Sequence, residues 1–192
     1  MCAAVGLVAS LVRVIAQGTS SSPLLISFGG LPACGKSTIA QQVARRFEAA
    51  YVRVDTIETA VSRAEGSAAE TNGWRSPPGY EVAYDLVADQ LRVGRSVVAD
   101  SVNPLKVSRD AWRAVGLDSG ARVLEVEVIC SDEVEHRRRA EQRDIDVPGL
   151  VRPTWQEILE RDYERWDRER LVVDTFLTDV DKAVARVAAA AG

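Results

Sequence analysis

The sequence has few of the residues on which metal clusters and disulfide frameworks depend. Its 192 residues include three cysteines, Cys2, Cys34 and Cys130, and a single histidine, His136. No two cysteines stand at metal-ligand spacing, so neither a zinc site nor a disulfide framework is expected. A sparse and odd set of cysteines is typical of a reducing compartment, and we therefore expect a cytoplasmic protein.

The sequence also has no uninterrupted apolar run long enough for a membrane span. Residues 1–16 are mostly apolar, but Arg13 interrupts them and no basic segment precedes them, which disfavours both a spanning helix and a signal peptide. The GTSSSP segment of Gly18–Pro23 is typical of a linker. We expect residues 1–22 to form a flexible N-terminal extension, whose place in the native protein stays open. Residues 23–192 are expected to form one domain.

An excess of positive charge is absent as well. Lys+Arg is 24 and Asp+Glu is 28, so the net charge is -4, which disfavours duplex nucleic acid as a partner. Hydrophobic residues make up 46% of the chain, which is enough for a core and too much for a disordered tail. Lysine is scarce, and one of the three, Lys36, stands in a glycine-containing motif.

Short apolar runs alternate with amphipathic stretches along residues 24–190. Strands are predicted at Leu24–Phe28, Tyr51–Val54, Ser96–Ala99, Arg122–Ile129 and Leu171–Val173. Helices are predicted at Ser37–Ala49, Thr56–Arg63, Glu81–Val93, Val107–Val115, Asp132–Arg143, Thr154–Arg168 and Asp179–Ala190, with longer loops at Gly66–Gly79 and Asp144–Pro153. This alternation predicts an α/β fold in which helices flank a five-stranded parallel sheet, and ligands bind at the carboxyl ends of such strands.

The segment Gly30–Ser37 reads GLPACGKS and matches the pattern G-x-x-x-x-G-K-[ST] between a predicted strand and a predicted helix. Its backbone amides and the following helix N-terminus can hold phosphate oxygens, Lys36 can reach the β- and γ-phosphates, and the Ser37 hydroxyl can bind Mg²⁺. We therefore predict a site for ATP with Mg²⁺. The residues expected to hold the nucleotide are Gly30, Leu31, Pro32, Ala33, Cys34, Gly35, Lys36, Ser37 and Thr38.

Two acidic residues follow the second and third predicted strands. Asp55 is placed to accept the proton of an attacking hydroxyl, and it can also be the N-cap of the next helix. Asp100 follows strand three. The chain has no guanine-specifying N-K-x-D motif, and a serine rather than a glutamate follows Asp100, so a small kinase is favoured over a GTPase or a mechanical ATPase.

The segments GGLPACGKST, VDTIETA and VVADSVNP together resemble the AAA-33 branch of P-loop kinases. That branch contains chloramphenicol phosphotransferase, the kinase domain of phage polynucleotide kinase and the zeta toxins. The resemblance runs from about Leu24 to the end of the chain. It implies a P-loop NTPase fold like that of the nucleoside-monophosphate kinases, with a lid near residues 144–153.

The resemblance also implies roles for individual residues. Lys36 and Ser37 match the phosphate and magnesium positions, Asp55 the catalytic base, and Asp100 an acidic residue that assists Mg²⁺ through water or holds the substrate. Arg139 and Arg143 resemble an R-x-x-x-R pair near the adenine and the transferring phosphate, although both can also belong to a solvated helix face. Arg152 is a candidate lid arginine.

One position departs from the pattern of the polynucleotide kinase and the zeta toxins. Three residues after Asp55 those proteins often carry arginine, whereas this chain has Glu58. A carboxylate would repel a phosphate-bearing substrate. It therefore favours a small uncharged or cationic acceptor that carries a hydroxyl group, unless Glu58 is simply an exposed helix residue.

The rest of the acceptor site is weakly specified. Trp74 and Tyr80 flank a loop and can line the acceptor pocket or act as packing anchors, and Asn103 can hydrogen-bond the acceptor or the loop backbone. Cys34 lies at a helix N-terminus, which suggests an acidified thiol and redox-sensitive ATP binding.

The sequence thus predicts an ATP-dependent phosphotransferase acting on a hydroxyl of a small molecule. Two alternatives stay open, a nucleoside, nucleotide or polynucleotide 5′-hydroxyl kinase and a non-catalytic ATP-binding regulator. No membrane partner is expected, and the occurrence of a homodimer stays open.

Overall fold

The computed structural model describes residues 22–65 and 78–192 of the chain. The predicted extension at residues 1–21 and most of the predicted Gly66–Gly79 loop, Trp74 included, lie outside the described residues. The strands are β1 (Leu24–Gly29), β2 (Ala50–Arg53), β3 (Val97–Asp100), β4 (Arg122–Ile129) and β5 (Leu171–Asp174). The helices are α1 (Lys36–Arg46), α2 (Val54–Glu65), α3 (Pro78–Arg92), α4 (Lys106–Asp118), α5 (Glu133–Gln142), α6 (Trp155–Leu159) and α7 (Val180–Ala191).

The five strands form one parallel sheet in the order β2-β3-β1-β4-β5. β1 lies at the centre, paired with β3 on one side and β4 on the other, and all six of its residues are buried. Near-continuous apolar runs such as LLISF are typical of strands covered on both faces. The predicted α/β fold with a five-stranded parallel sheet is confirmed.

Two apolar cores lie on opposite faces of the sheet, because successive strand residues point to opposite sides. Ile26 and Phe28 of β1 pack with α1 and α7 on one face. Leu25 of β1 packs with α3 and α4 on the other face, where Trp112 is fully buried. Within the described ranges no helix is long and apolar enough to cross a membrane.

The helix predicted over Thr154–Arg168 is wrong beyond its first turns. Thr154 caps α6 with a complete capping box, but the helix ends at Leu159. The chain beyond it forms no regular helix and is bound by α4, where the buried Arg109 donates hydrogen bonds to the carbonyls of Glu164 and Arg165. Tertiary contacts therefore override local helix propensity in this segment.

Strand β2 has the predicted length but lies one residue earlier, at Ala50–Arg53 instead of Tyr51–Val54, and α2 begins at Val54 directly after it. Asp55 consequently lies in the first turn of α2. The interpretation of Asp55 as the residue before that helix, and hence its N-cap, is wrong. The change places the Asp55 side chain on a helix that projects from the carboxyl edge of the sheet.

Candidate active site

The turn between β1 and α1 has the backbone shape that its sequence predicts. Gly30 has φ 139° and Gly35 has φ 91°, conformations that glycine adopts without steric cost. A Cβ at Gly30 would lie 2.2 Å from the carbonyl oxygen of Val128. Gly35 is the N-cap of α1, and no side chain caps that helix, so its first amides remain available to an anion.

Three side chains hold this turn from behind. His136 of α5 lies 2.8 Å from the carbonyl oxygen of Pro32 through its Nε2 atom. The Thr175 hydroxyl donates to the carbonyl of Cys34 at 2.8 Å. Arg139 in turn donates to the oxygens of Thr175 at 2.8 and 3.3 Å. No sequence pattern indicates the roles of His136 and Thr175, because their partners are distant along the chain.

Lys36 and Ser37 line a cavity of about 1000 Å³ that opens at the carboxyl edge of the sheet. The Lys36 side chain is buried, and its Nζ atom lies 3.8 Å from Oδ1 of Asp100. This carboxylate at the end of β3 therefore faces the lysine that the motif assigns to the phosphates. The turn and β3 form one half of the site.

Asp100 is held by two residues that no sequence pattern indicates, Tyr51 and Arg53. The Tyr51 hydroxyl donates to Oδ2 of Asp100 at 2.6 Å, and Arg53 Nε lies 3.9 Å from the same oxygen. Burial and the charge of Asp100 raise the pKa of the Tyr51 phenol, so it stays a proton donor. Both residues belong to β2, and only the β2–β3 pairing brings them to Asp100.

The donors near the turn fit a magnesium ion that is bound together with a nucleotide. Ser37 offers a hydroxyl to the cavity, and Asp100 contributes a carboxylate behind it. Mg²⁺ characteristically takes one or two protein oxygens and completes its coordination with phosphate oxygens and water. In the described ranges no group of three or more His, Cys, Asp or Glu residues could hold a metal by itself.

Asp55 lines the same cavity from α2. Its side chain is 26% exposed, and Oδ2 lies 3.6 Å from Nε of Arg53. The structure therefore brings Asp55, Lys36 and Ser37 to one cavity from two different elements. A carboxylate in this position can accept a proton from a hydroxyl bound in the cavity.

Glu58 follows Asp55 by one helical turn and lines the same cavity. Burial first, and the nearby charge of Asp55 second, raise the pKa of its carboxyl to about 7. The backbone of Gly79 in α3 packs so closely that a Cβ there would lie 2.1 Å from Glu58 Cγ. The interpretation of Glu58 as an exposed helix residue is therefore wrong.

Aromatic and aliphatic side chains form the wall opposite the turn. Tyr80 and Tyr84 come from α3, with their ring centroids 6.0 Å apart. Apolar residues of α4 and the segment before it also line this part, namely Pro104, Leu105, Val107 and Ala111. Tyr80 is thus both a packing residue and part of the cavity wall.

Asn103 is buried and stabilises the loop after β3. Its backbone has φ 52°, its Oδ1 accepts from the Ser108 hydroxyl at 2.8 Å, and its N–H donates to the Tyr80 hydroxyl at 3.0 Å. These contacts fix the loop that carries Val102 and Pro104 into the cavity wall.

The predicted arginines take different positions. Arg143 lines the cavity, whereas Arg139 lies behind the turn and does not line it. Arg152 donates to the backbone carbonyls of Glu141 and Arg143, and so ties the α5–α6 connection to the end of α5. Arg161, which belongs to no recognised sequence motif, also lines the cavity.

Cys34 departs from its expected chemistry. The side chain is buried, and burial raises the pKa of its thiol. The predicted acidified thiol is wrong, because loss of solvation outweighs the nearby Lys36 charge and the helix N-terminus. Cys34 packs as part of the core beneath the turn.

The sequence model of the AAA_33 family, described as an AAA domain, matches residues 25–161. No curated protein matches the chain.

Solved structures, two of them kinases, share the architecture at low identity. The chain is similar to the Mycobacterium tuberculosis APS kinase CysC in complex with AMPPNP and APS, with 19% identity, 88% of this chain and 96% of that chain covered, and a TM-score of 0.65. A gluconokinase from Sinorhizobium meliloti gives 18% identity, 88% and 92% coverage and a TM-score of 0.59. Chaetomium thermophilum Kti12 in complex with ADP-AlF3 gives 22% identity, 88% and 99% coverage and a TM-score of 0.62. At these identities the shared property is the P-loop kinase fold.

Proposed function

Because the chain belongs to the AAA_33 family and has the fold of P-loop kinases, we propose that it is an ATP-dependent phosphotransferase that moves the γ-phosphate to a hydroxyl of a small molecule. The observation that carries the proposal is the joint cavity in which Lys36 and Ser37 on one side meet Asp55 on the other. A nucleotide-binding module needs only the first side, whereas phosphoryl transfer to a hydroxyl needs both.

ATP would be held by the turn over Gly30–Thr38. The amides at the start of α1 would surround the phosphates, and Lys36 would contact the β- and γ-phosphate oxygens. Ser37 directly, and Asp100 through water, would hold the magnesium ion. When bound, that ion neutralises charge on the phosphate oxygens.

The acceptor would bind between Asp55 and the aromatic wall. Asp55 would take the proton of the acceptor hydroxyl while the oxygen of that hydroxyl forms a bond to the γ-phosphorus. The bond from that phosphorus to the β–γ bridging oxygen breaks, and ADP leaves. Lys36 and Arg143 would stabilise the charge that develops, while the role of Arg139 would be to fix the turn through Thr175.

The cavity wall favours an acceptor that is partly apolar and carries no phosphate. Tyr80, Tyr84 and the α4 side chains provide apolar surface, and the Glu58 carboxyl stands beside Asp55. An anionic group next to these two acids would be repelled once Glu58 ionises. We therefore place small uncharged or cationic molecules with a hydroxyl group first among the acceptors. Because the reaction needs ATP, we also propose that the protein acts in the cytoplasm, where ATP is available.

A coupled assay of ADP release tests the proposal. Purified protein with Mg·ATP would be offered antibiotics, sugars, amino acids, nucleosides and 5′-hydroxyl oligonucleotides in parallel. We expect acceptor-dependent ADP release with a small uncharged or cationic compound. Turnover only with nucleosides or oligonucleotides would favour the nucleic-acid-related alternative, and tight ATP binding without any turnover would favour a regulator.

A further inference from the structure

One arginine links the proposed active site to a distant loop. Arg53 is the last residue of β2, and its side chain is buried. Its Nη1 atom donates to both carboxylate oxygens of Asp146, at 2.9 and 2.7 Å. Asp146 lies 93 positions further along the chain, in the connection of residues 143–154 between α5 and α6, here called the α5–α6 loop.

The other side of the same guanidinium faces the active site. Arg53 Nε lies 3.6 Å from Oδ2 of Asp55 and 3.9 Å from Oδ2 of Asp100. This Nε is buried and has no hydrogen-bond partner among the residues that the structure describes. One positive group thus contacts the loop through a terminal nitrogen and stands between the two acidic residues of the proposed reaction through Nε.

We propose that Arg53 is a positioning residue that latches the α5–α6 loop over the cavity through Asp146 while it holds the carboxylates of Asp55 and Asp100 in place. The inference rests on the proposed phosphoryl transfer. Arg53 does not itself line the cavity, so it acts through Asp55, Asp100 and the loop rather than on the substrate.

The geometry suits a contact that opens and closes. The Asp146 side chain is 58% exposed, and ion pairs that solvent reaches contribute little to stability. One nitrogen atom of Arg53, Nη1, donates to both oxygens of Asp146. The strongest arginine–carboxylate pairs instead use two nitrogens, one for each oxygen. The hydrogen bond from Arg53 nevertheless lowers the pKa of the Asp146 carboxyl, so the pair is charged at neutral pH.

Opening of the latch would uncover the cavity. Leu150, Val151 and Pro153 of the α5–α6 loop line the cavity. Arg152 of the same loop donates hydrogen bonds to backbone carbonyls at the end of α5. Closure would exclude water from the γ-phosphate and limit hydrolysis of ATP in the absence of acceptor. Because the latch residue also contacts Asp55, loop closure and the position of the base would be set together.

Amide hydrogen exchange tests the latch without any need for an acceptor. Asp146→Ala should speed exchange in the α5–α6 loop about three- to tenfold, because local opening becomes easier. Asp144→Ala is the matched control, since Asp144 is an exposed acidic residue of the same loop. Arg53→Gln alone and combined with Asp146→Ala should give non-additive effects, as expected for two partners of one contact.

Acceptor-independent ATP hydrolysis and ATP affinity test the link to catalysis. Asp146→Ala should raise the hydrolysis rate severalfold while the Kd for ATP changes less than about twofold, a split that general loosening of the fold would not produce. Asp144→Ala should match the wild-type protein in both quantities. Asp146 is a surface residue, so its variant keeps the test available even if Arg53→Gln fails to fold.

The outcomes separate the latch from the proposed function. Loop exchange that is equal in Asp146→Ala and Asp144→Ala would overturn the latch. Faster exchange with unchanged hydrolysis would overturn its link to the active site. If the wild-type protein did not bind ATP, the proposed function would be refuted. The exchange data would still decide whether Arg53 and Asp146 hold the loop.

Discussion

Two carboxylates one helical turn apart stand in different surroundings. Asp55 faces the guanidinium of Arg53 at 3.6 Å. Glu58 makes no hydrogen bond or ion pair with the residues described, and burial raises the pKa of its carboxyl to about 7. Such a difference in surroundings between two neighbouring acids is typical of active sites, where one group must be charged and another must be able to change its charge.

The raised pKa of Glu58 predicts a specific pH dependence of stability. Glutamate has a reference pKa of 4.5, so between about pH 4.5 and 7 the folded state binds a proton that the unfolded state lacks. Stability should therefore fall as the pH rises through this window and stay reduced above it. Glu58→Gln removes this titration. The difference in the free energy of unfolding between Glu58→Gln and the wild-type protein should therefore grow by about 2 kcal/mol in favour of the variant from pH 5 to pH 8, after allowance for solvent screening.

Urea unfolding of both proteins at the two pH values measures this difference. Glu160→Gln, at the exposed end of α6, is the matched control for the loss of one negative charge. An advantage of Glu58→Gln that does not grow with pH would contradict the assignment of this carboxyl.

At the scale of single elements, side chains from neighbouring helices decide where secondary structure ends. The chain beyond α6 has the residues of a helix but does not form one, because Arg109 and the carbonyl of Pro104 bind its backbone. Arg109 also stacks over Trp166, with its guanidinium carbon 4.7 Å from the ring centroid. This segment supplies Arg161 and Glu164 to the cavity.

Removal of the Arg109 side chain should therefore destabilise the protein and disturb the cavity. Arg109 is 0% exposed, so Arg109→Ala leaves two carbonyls without donors and a void beside Trp166. We expect a loss of about 2–4 kcal/mol in the free energy of unfolding. The exposed Arg137→Ala, which loses only a surface pair with Glu141, should cost less than about 0.5 kcal/mol. Equal urea midpoints for the two variants would show that Arg109 does not organise the segment.

The contact between α2 and α3 makes a second prediction at this scale. A Cβ at Gly79 would lie 2.1 Å from Glu58 Cγ and 3.1 Å from its backbone nitrogen. Gly79→Ala should push the helices apart and destabilise the protein by about 1–3 kcal/mol. Gly94→Asn is the control, since nothing lies within 4 Å of a Cβ there and asparagine tolerates its φ of 83°. Similar thermal midpoints for both variants would contradict the close helix contact.

At the scale of the whole molecule, the sheet order assembles the site from distant parts of the sequence. β1 leads into the turn with Lys36, β3 ends at Asp100, and β2 leads directly into Asp55. Pairing of β3 with both β1 and β2 brings these three strand ends side by side. The position of the cavity follows from this order, as expected for ligands of open parallel sheets.

The sequence could predict whatever depends on local spacing. The alternation of apolar runs predicted the sheet, and the spacing of Gly30, Gly35 and Lys36 predicted the turn, because these patterns are set within a few residues. Contacts over long separations leave no such pattern. The Arg53–Asp146 pair and the His136 contact with the turn could therefore be found only in the folded chain.

The most direct test of the central claim compares the wild-type protein with Asp55→Asn. Transfer of labelled γ-phosphate from ATP to the acceptor panel and the Kd for ATP would be measured for both proteins. If Asp55 is the base, the substitution should lower the transfer rate by at least about a hundredfold and change the Kd for ATP by less than about twofold. Equal transfer by both proteins would contradict the role of Asp55, and equal loss of transfer and of ATP binding would contradict the division of the cavity into a nucleotide side and a catalytic side.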